Sequence, residues 1–144
     1  MKTFDVGTLK WEGSDKHQEA VLHAPSGSAQ PVRVWVLRVP AGGSYGPFQG
    51  ANTRLFFACM HTAGARLHVG TRVFRPLPGQ VFEAEPGDVV GVGNDTRQEI
   101  QVLVTQIGPE GDLKALGRTW EEYLAEVRPQ EPNLLSTTSN PAGR

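Results

Sequence analysis

Glycine and proline interrupt this chain at short intervals, and that spacing limits the fold before any other feature does. Gly64, Gly79, Gly87 and Gly93 separate short valine-rich runs, and Pro76 and Pro78 fall among them. The 17 Gly and 11 Pro make up about 19% of 144 residues, against about 12% in an ordinary protein. Each interior glycine costs a helix ~1 kcal/mol and each proline ~3 kcal/mol relative to alanine. A mainly helical protein is therefore excluded. The absence of a G-X-Y period excludes collagen. What remains is a turn-rich, all-β domain, and one domain is the expected count at this length.

The runs between the breaks read as strands. Residues 4–11 and 20–24 are short and weakly patterned, and Ser26-Gly27-Ser28 with Gln30-Pro31 forms a break. Val32 to Val39 is a strong strand with apolar residues in both phases, as in a strand covered on both sides. Pro40 to Pro47 reads as a loop. Strands follow at Arg54–Thr62, Arg66–Gly70, Arg72–Phe74, Gln80–Ala84, Val89–Val92 and Glu99–Ile107. Turn signals at this spacing predict a sandwich or barrel.

The texture changes after Gly108. Asp112 is placed to cap a short turn, Leu113 to Leu116, closed by Gly117. Thr119 and Glu122 form a capping box. Trp120, Tyr123, Leu124 and Val127 then share one helical face, and Pro129 stops the helix. The division is a barrel over 1–110, a helical appendage over 111–128 and a polar tail over 129–144, which is ordered only if Leu134 and Leu135 dock.

Composition narrows the function. The net charge of −1 gives no footprint for nucleic acid. Cys59 is the only cysteine, so an intramolecular disulfide is excluded and a reducing compartment is the simplest reading. Neither an N-terminal apolar region nor a run long enough to span a bilayer is visible, so a cytoplasmic protein without membrane association is expected.

The segment from Gly87-Asp88 through Gly93, Asp95 and Gln98 to Val102 resembles the second motif of the cupin superfamily. That motif runs Gly, five residues, Pro-x-Gly, two residues, His, three residues, Asn. Gly87 matches the first glycine; Gly93, Asp95, Gln98 and Val102 stand where Pro, Gly, His and Asn are usual. The first cupin motif has His-x-His, a glutamate and a glycine turn. Here Asn52 and Arg54 take the histidine places, an apolar residue near Phe57 or Ala58 takes the glutamate place, and Gly64 is the turn. The resemblance covers roughly residues 32 to 107. It implies a single cupin-like jelly-roll β-barrel, all-β, with a short C-terminal helix. Cupin metals are held by the motif histidines and glutamate, which are replaced here. A divalent metal needs several converging N or O donors, and a fixed arginine cation repels one. The resemblance therefore implies the barrel and argues against a metal or other cofactor.

In that register Arg54, Asn52 and Gln98 point into the barrel, with Phe56 and Met60 deeper on the strand and Tyr45 at the rim. A guanidinium with two amides suits a small anion such as a carboxylate. Alternatively, Arg54 pairs with an internal acid, Glu83 or Glu85, and seals a packed interior. His61 and His68 flank the Gly64 turn and read as hairpin histidines; His17 and His23 carry no signal. Cys59 and His61 share a strand face turned away from the pocket, and Cys59 reads as a buried structural cysteine. Neither Gly91-Val92-Gly93 nor the Gly42–Gly46 loop completes a nucleotide-binding motif. Trp11, Trp35 and Trp120 read as core or interface anchors.

Three functions fit these residues. One is a metal-free protein binding a small, anionic molecule in the barrel. The second is a metal-independent isomerase or epimerase, for which Glu83, Glu85 or Tyr45 would have to supply the base. The third is a non-catalytic interaction module with a filled barrel. The surplus apolar strand face calls for cover from the Trp120 helix or from a second subunit, so a homodimer is expected.

Overall fold

The computed structural model of the chain describes residues 1–24, 31–62 and 64–127. The Ser26-Gly27-Ser28 break, Pro129, Leu134, Leu135 and the tail lie outside them. Among the described residues, eleven strands and one helix follow a 3-10 turn at Val6–Thr8. They are β1 (Glu12–Gly13), β2 (Gln18–His23), β3 (Val32–Val39), β4 (Ser44–Gln49), β5 (Arg54–His61), β6 (Arg66–Val69), β7 (Arg72–Phe74), β8 (Val81–Ala84), β9 (Val89–Gly93), β10 (Ile100–Ile107), β11 (Lys114–Ala115) and α1 (Trp120–Val127).

The strands form two antiparallel sheets, ordered β1-β2-β3-β10-β5-β8 and β11-β4-β9-β6-β7. From β3 to β10 the chain crosses between the sheets at every connection except β6–β7, a hairpin within one sheet. This is a jelly roll. The all-β expectation and the strand positions from β5 to β10 hold closely.

Alternation decides which residues fill the interior. On β5, Leu55, Phe57 and Cys59 are buried while Arg54, Phe56, Ala58 and Met60 are half-buried. Leu55 and Phe57 join Trp35, Leu37, Val39, Tyr45, Leu67, Val90, Val92, Ile100, Val102 and Val104 in one core cluster drawn from both sheets. Removing such a side chain from water contributes about 1.5–3 kcal/mol each. The barrel centre is therefore packed.

Two elements differ from the sequence reading. Ser44–Gln49 is a strand although Gly46 and Pro47 lie within it. The β4–β9 register shifts between Tyr45 and Phe48, and that irregularity absorbs Gly46 (φ +93°) and a proline that has no N–H for the ladder. Lys114–Ala115 pairs with β4 rather than forming a helical turn. Asp112, the expected cap, instead accepts hydrogen bonds from the Asn52 backbone N–H (2.9 Å) and the Thr53 hydroxyl (2.5 Å), tying β11 to the β4–β5 turn.

The capping box is present: Glu122 N–H donates to the Thr119 hydroxyl at 3.1 Å, and Thr119 N–H donates to the Glu122 carboxylate at 2.9 Å. The helix lies on the five-stranded sheet, where Trp120 stacks on His68. It does not cover the surplus apolar face, which belongs to the other sheet. There Ala20, Val36, Leu103, Ala58 and Val81 form a continuous cross-strand row. Trp11 meets this face at Arg38, whose guanidinium lies 3.9 Å from the indole centroid, while Val81 at the far edge is 62% exposed.

Candidate functional site at the barrel end

The expected site does not assemble. Arg54 is on the outer phase of β5, beside Ile107 and Glu83, and its Nη1 pairs with the Glu83 carboxylate. The pairing alternative was right about Glu83 but wrong about its place, because both side chains are about two-fifths exposed. Glu85 is exposed in the β8–β9 turn. Asn52 is exposed in the β4–β5 turn, with its N–H held by Asp112. Phe56 and Met60 share the outer phase with Arg54. Gln98 is exposed before β10, at the mouth of a separate cleft with His61; the first inward residue of β10 is Ile100, 2% exposed. One slip of register reverses every side chain of a strand, and the motif register is one residue out of phase with the burial of β5.

Tyr45 lies in the core rather than at a rim. It is 2% exposed, stacked on Phe48 (4.5 Å) and tilted against Trp35 (5.6 Å). Burial, with Glu19 nearby, pushes its hydroxyl far above the ordinary tyrosine range, so it is no base at neutral pH. His61 and His68 do not meet, because β5 and β6 belong to different sheets. Cys59 is inward and 3% exposed, and burial pushes its thiol up to about 11. It is the structural cysteine expected, on the face opposite to the one expected.

Polar side chains do collect on the inward phase, but at the end where β3 begins and β10 ends. Arg33 and Gln106 are cross-strand partners in the phase of Trp35 and Val104. Arg33 donates to Glu19 at 3.2 Å and lies 5.3 Å over the Trp35 ring. His17 Nε2 is 3.8 Å from the Glu19 carboxylate, and its Nδ1 is 3.3 Å from the Ser44 carbonyl oxygen. The Trp35 indole N–H and the Gln106 amide oxygen are buried with no hydrogen-bond partner among the described residues. Leaving such groups unpaired costs about 1–3 kcal/mol each.

A cleft of about 260 Å³ opens here, lined by Arg33, Gln106, Pro31, Gly108 and Glu110 among others. It has room for roughly nine water-sized groups. Sequence reasoning missed Arg33. The signal was the alternation itself: in Val32–Val39 the arginine at 33 shares a face with Trp35 and Leu37.

The cupin ligand places read from the motifs hold Asn52, Arg54, an apolar residue and Gln98, and these side chains do not converge. Among the described residues no three His, Cys, Asp or Glu side chains gather within reach of one ion. No described helix is long and apolar enough to cross a membrane.

No protein-family model matches the chain. No curated protein matches it. Solved structures do. The polyketide cyclase RemF from Streptomyces resistomycificus is 16% identical, with 94% of this chain and 99% of that one covered at a TM-score of 0.66. The Cnp3 cupin domain of Schizosaccharomyces pombe is 16% identical over 74% of each chain, at a TM-score of 0.62. A cupin-superfamily sugar phosphate isomerase from Silicibacter pomeroyi is 17% identical over 75% of this chain and 76% of that one, at 0.58. At these identities the likeness is one of fold. The two-sheet jelly roll, its turns at Gly64 and Gly87 and these neighbours together establish that the chain folds as a cupin, a double-stranded β-helix.

Proposed function

We propose that this cupin barrel is a metal-free binding protein for a small hydroxy acid, held at the barrel end by Arg33. The reading is carried by the Gln106 amide oxygen, which has no hydrogen-bond partner among the described residues and belongs to the cross-strand neighbour of Arg33 in the same cleft. Arginine has five N–H donors, and one bond to Glu19 leaves several for a carboxylate. The Gln106 oxygen asks for a donor, which a ligand hydroxyl supplies. The packed centre confines the ligand to the mouth and keeps it small.

Thermal unfolding with lactate, glycerate, propionate and glycerol tests this. Ligand at 100 times its Kd adds about 2.7 kcal/mol, a rise of roughly 5–10 °C for a domain of this size. The hydroxy acids should raise the midpoint, whereas propionate (no hydroxyl) and glycerol (no carboxylate) should not. No shift with any of the four at 20 mM overturns the reading.

A catalytic version, of the isomerase or epimerase kind, has one observation in its favour: the His17 imidazole and the Glu19 carboxylate lie 3.8 Å apart, and Arg33 donates to the same carboxylate. Glu83 and Glu85, the carboxylates considered from sequence, are on the outside. A homodimer through the Leu103–Ala58–Val81 face is part of the proposal, supported by the apolar row that α1 leaves open.

A further inference from the structure

The outer face of the five-stranded sheet carries a place cut for a flat ring. On β9, Val90 and Val92 point inward, which leaves Gly91 and Gly93 on the outer phase beside His68 and Arg66. A Cβ at Gly91 would lie 2.1 Å from Cζ2 of Trp120, so the indole rests directly on the bare strand. Its other neighbour is the His68 ring, stacked at 4.1 Å with planes 19° apart. The indole N–H points at the Tyr45 carbonyl oxygen at 3.4 Å. His68 is 3% exposed.

The occupant comes from a short element. Trp120 is the first residue of an eight-residue helix, and the helix docks chiefly through Trp120 and the buried Tyr123, which meet edge to face at 5.6 Å. A groove of about 700 Å³ runs beside the indole, lined also by Phe48, Ser44 and Arg66. The slot thus has a floor that admits a ring, a stacking partner, one acceptor for a ring N–H and an open approach.

We propose that this slot is a binding site for a planar heteroaromatic molecule with one ring N–H. In this state the chain's own Trp120 fills it, and an incoming indole displaces Trp120 and undocks α1. The site is on the opposite side of its sheet from the barrel interior and does not rest on the hydroxy-acid reading.

The test uses free indole as the probe and a Trp120→Ala variant that empties the slot. Calorimetric titration should show indole binding to the variant at least tenfold more tightly than to the wild type, where it competes with a tethered ring. Adding His68→Ala should weaken binding to the variant about tenfold, and 1-methylindole, which lacks the N–H, should bind about fivefold more weakly than indole. A folded Trp120→Ala protein that fails to bind indole at millimolar concentration overturns the proposal, as does equal binding of 1-methylindole. If the variant does not fold, the wild type decides: saturating indole must speed amide hydrogen exchange across residues 121–127 at least fivefold, and unchanged exchange overturns displacement.

Discussion

Replacing Phe57 by alanine should cost a large share of this domain's stability, and replacing Phe56 should cost little. The two residues are neighbours on β5 with opposite phases. Phe57 is fully buried, with Val104 and Phe82 as cross-strand partners. Phe56 is on the outer face between Thr105 and Glu83. Truncating a buried phenylalanine typically costs 3–5 kcal/mol, because the lost transfer free energy is joined by a cavity that neighbours only partly fill. Leu55, Val104 and Tyr45 are pinned by both sheets, so little collapse is expected and the value should be roughly 4 kcal/mol. A domain holds ~5–15 kcal/mol in total, and each 1 kcal/mol moves the midpoint by roughly 2–4 °C at this size. Phe57→Ala should therefore melt roughly 10 °C lower, and Phe56→Ala within roughly 3 °C of the wild type. Urea unfolding followed by circular dichroism measures both. The reverse ranking, or a Phe57 cost below 1 kcal/mol, would refute the packed-interior reasoning and restore the phase in which Arg54 faces inward.

Other outcomes follow from the same geometry. Burial, with Arg66 and Arg75 nearby, lowers His68 to about 4. A depressed histidine favours the neutral folded form, so its contribution is present above about 6.5 and is lost as pH falls through 4; the full change is on the order of 3 kcal/mol. Asp95, which pairs with both arginines, and Lys16, His17, Glu121 and Glu122 also line this groove. Replacing His68 by glutamine should remove the histidine step from an NMR titration of α1 docking; a step unchanged in that variant would assign it to the carboxylates. Cys59 should react with iodoacetamide only as fast as the domain unfolds, and stoichiometric labelling of native protein within minutes would contradict its burial. In sedimentation at 100 µM the chain should be a dimer that Val81→Arg converts to monomer. A wild-type monomer at that concentration removes the outer-face interface.

The parts of this fold that periodicity encodes were readable, and the parts that register encodes were not. Val32–Val39 and Arg72–Phe74 match their strands at both ends, and the Thr119–Glu122 capping box forms the predicted pair of bonds. The Gly87 turn, the short buried strand after it and the second turn at Asn94 follow the motif's physical sense. Motif spacing, however, could not distinguish Arg54 inward from Leu55 inward, since a loop residue more or less before β5 reverses the choice. The burial alternation of β5 settles it, and an eight-residue run that is apolar at 55, 56, 57 and 58 hides that alternation from sequence. β4 was lost because Gly46 and Pro47 carry the usual marks of a loop, while the irregularity that tolerates them exists only in pairing with β9. Arg33, in a strand apolar on both faces, has no partner in the neighbouring sequence; Glu19 and Gln106 come from β2 and β10.

The proposed anion anchor is Arg33 at the barrel end and not Arg54 on the outside. Calorimetric titration of glycerate into the wild type, Arg33→Gln and Arg54→Gln measures it directly. Loss of binding in Arg33→Gln by tenfold or more, with Arg54→Gln within twofold of the wild type, is the predicted result. Binding that survives in Arg33→Gln, or that depends on Arg54, would contradict it.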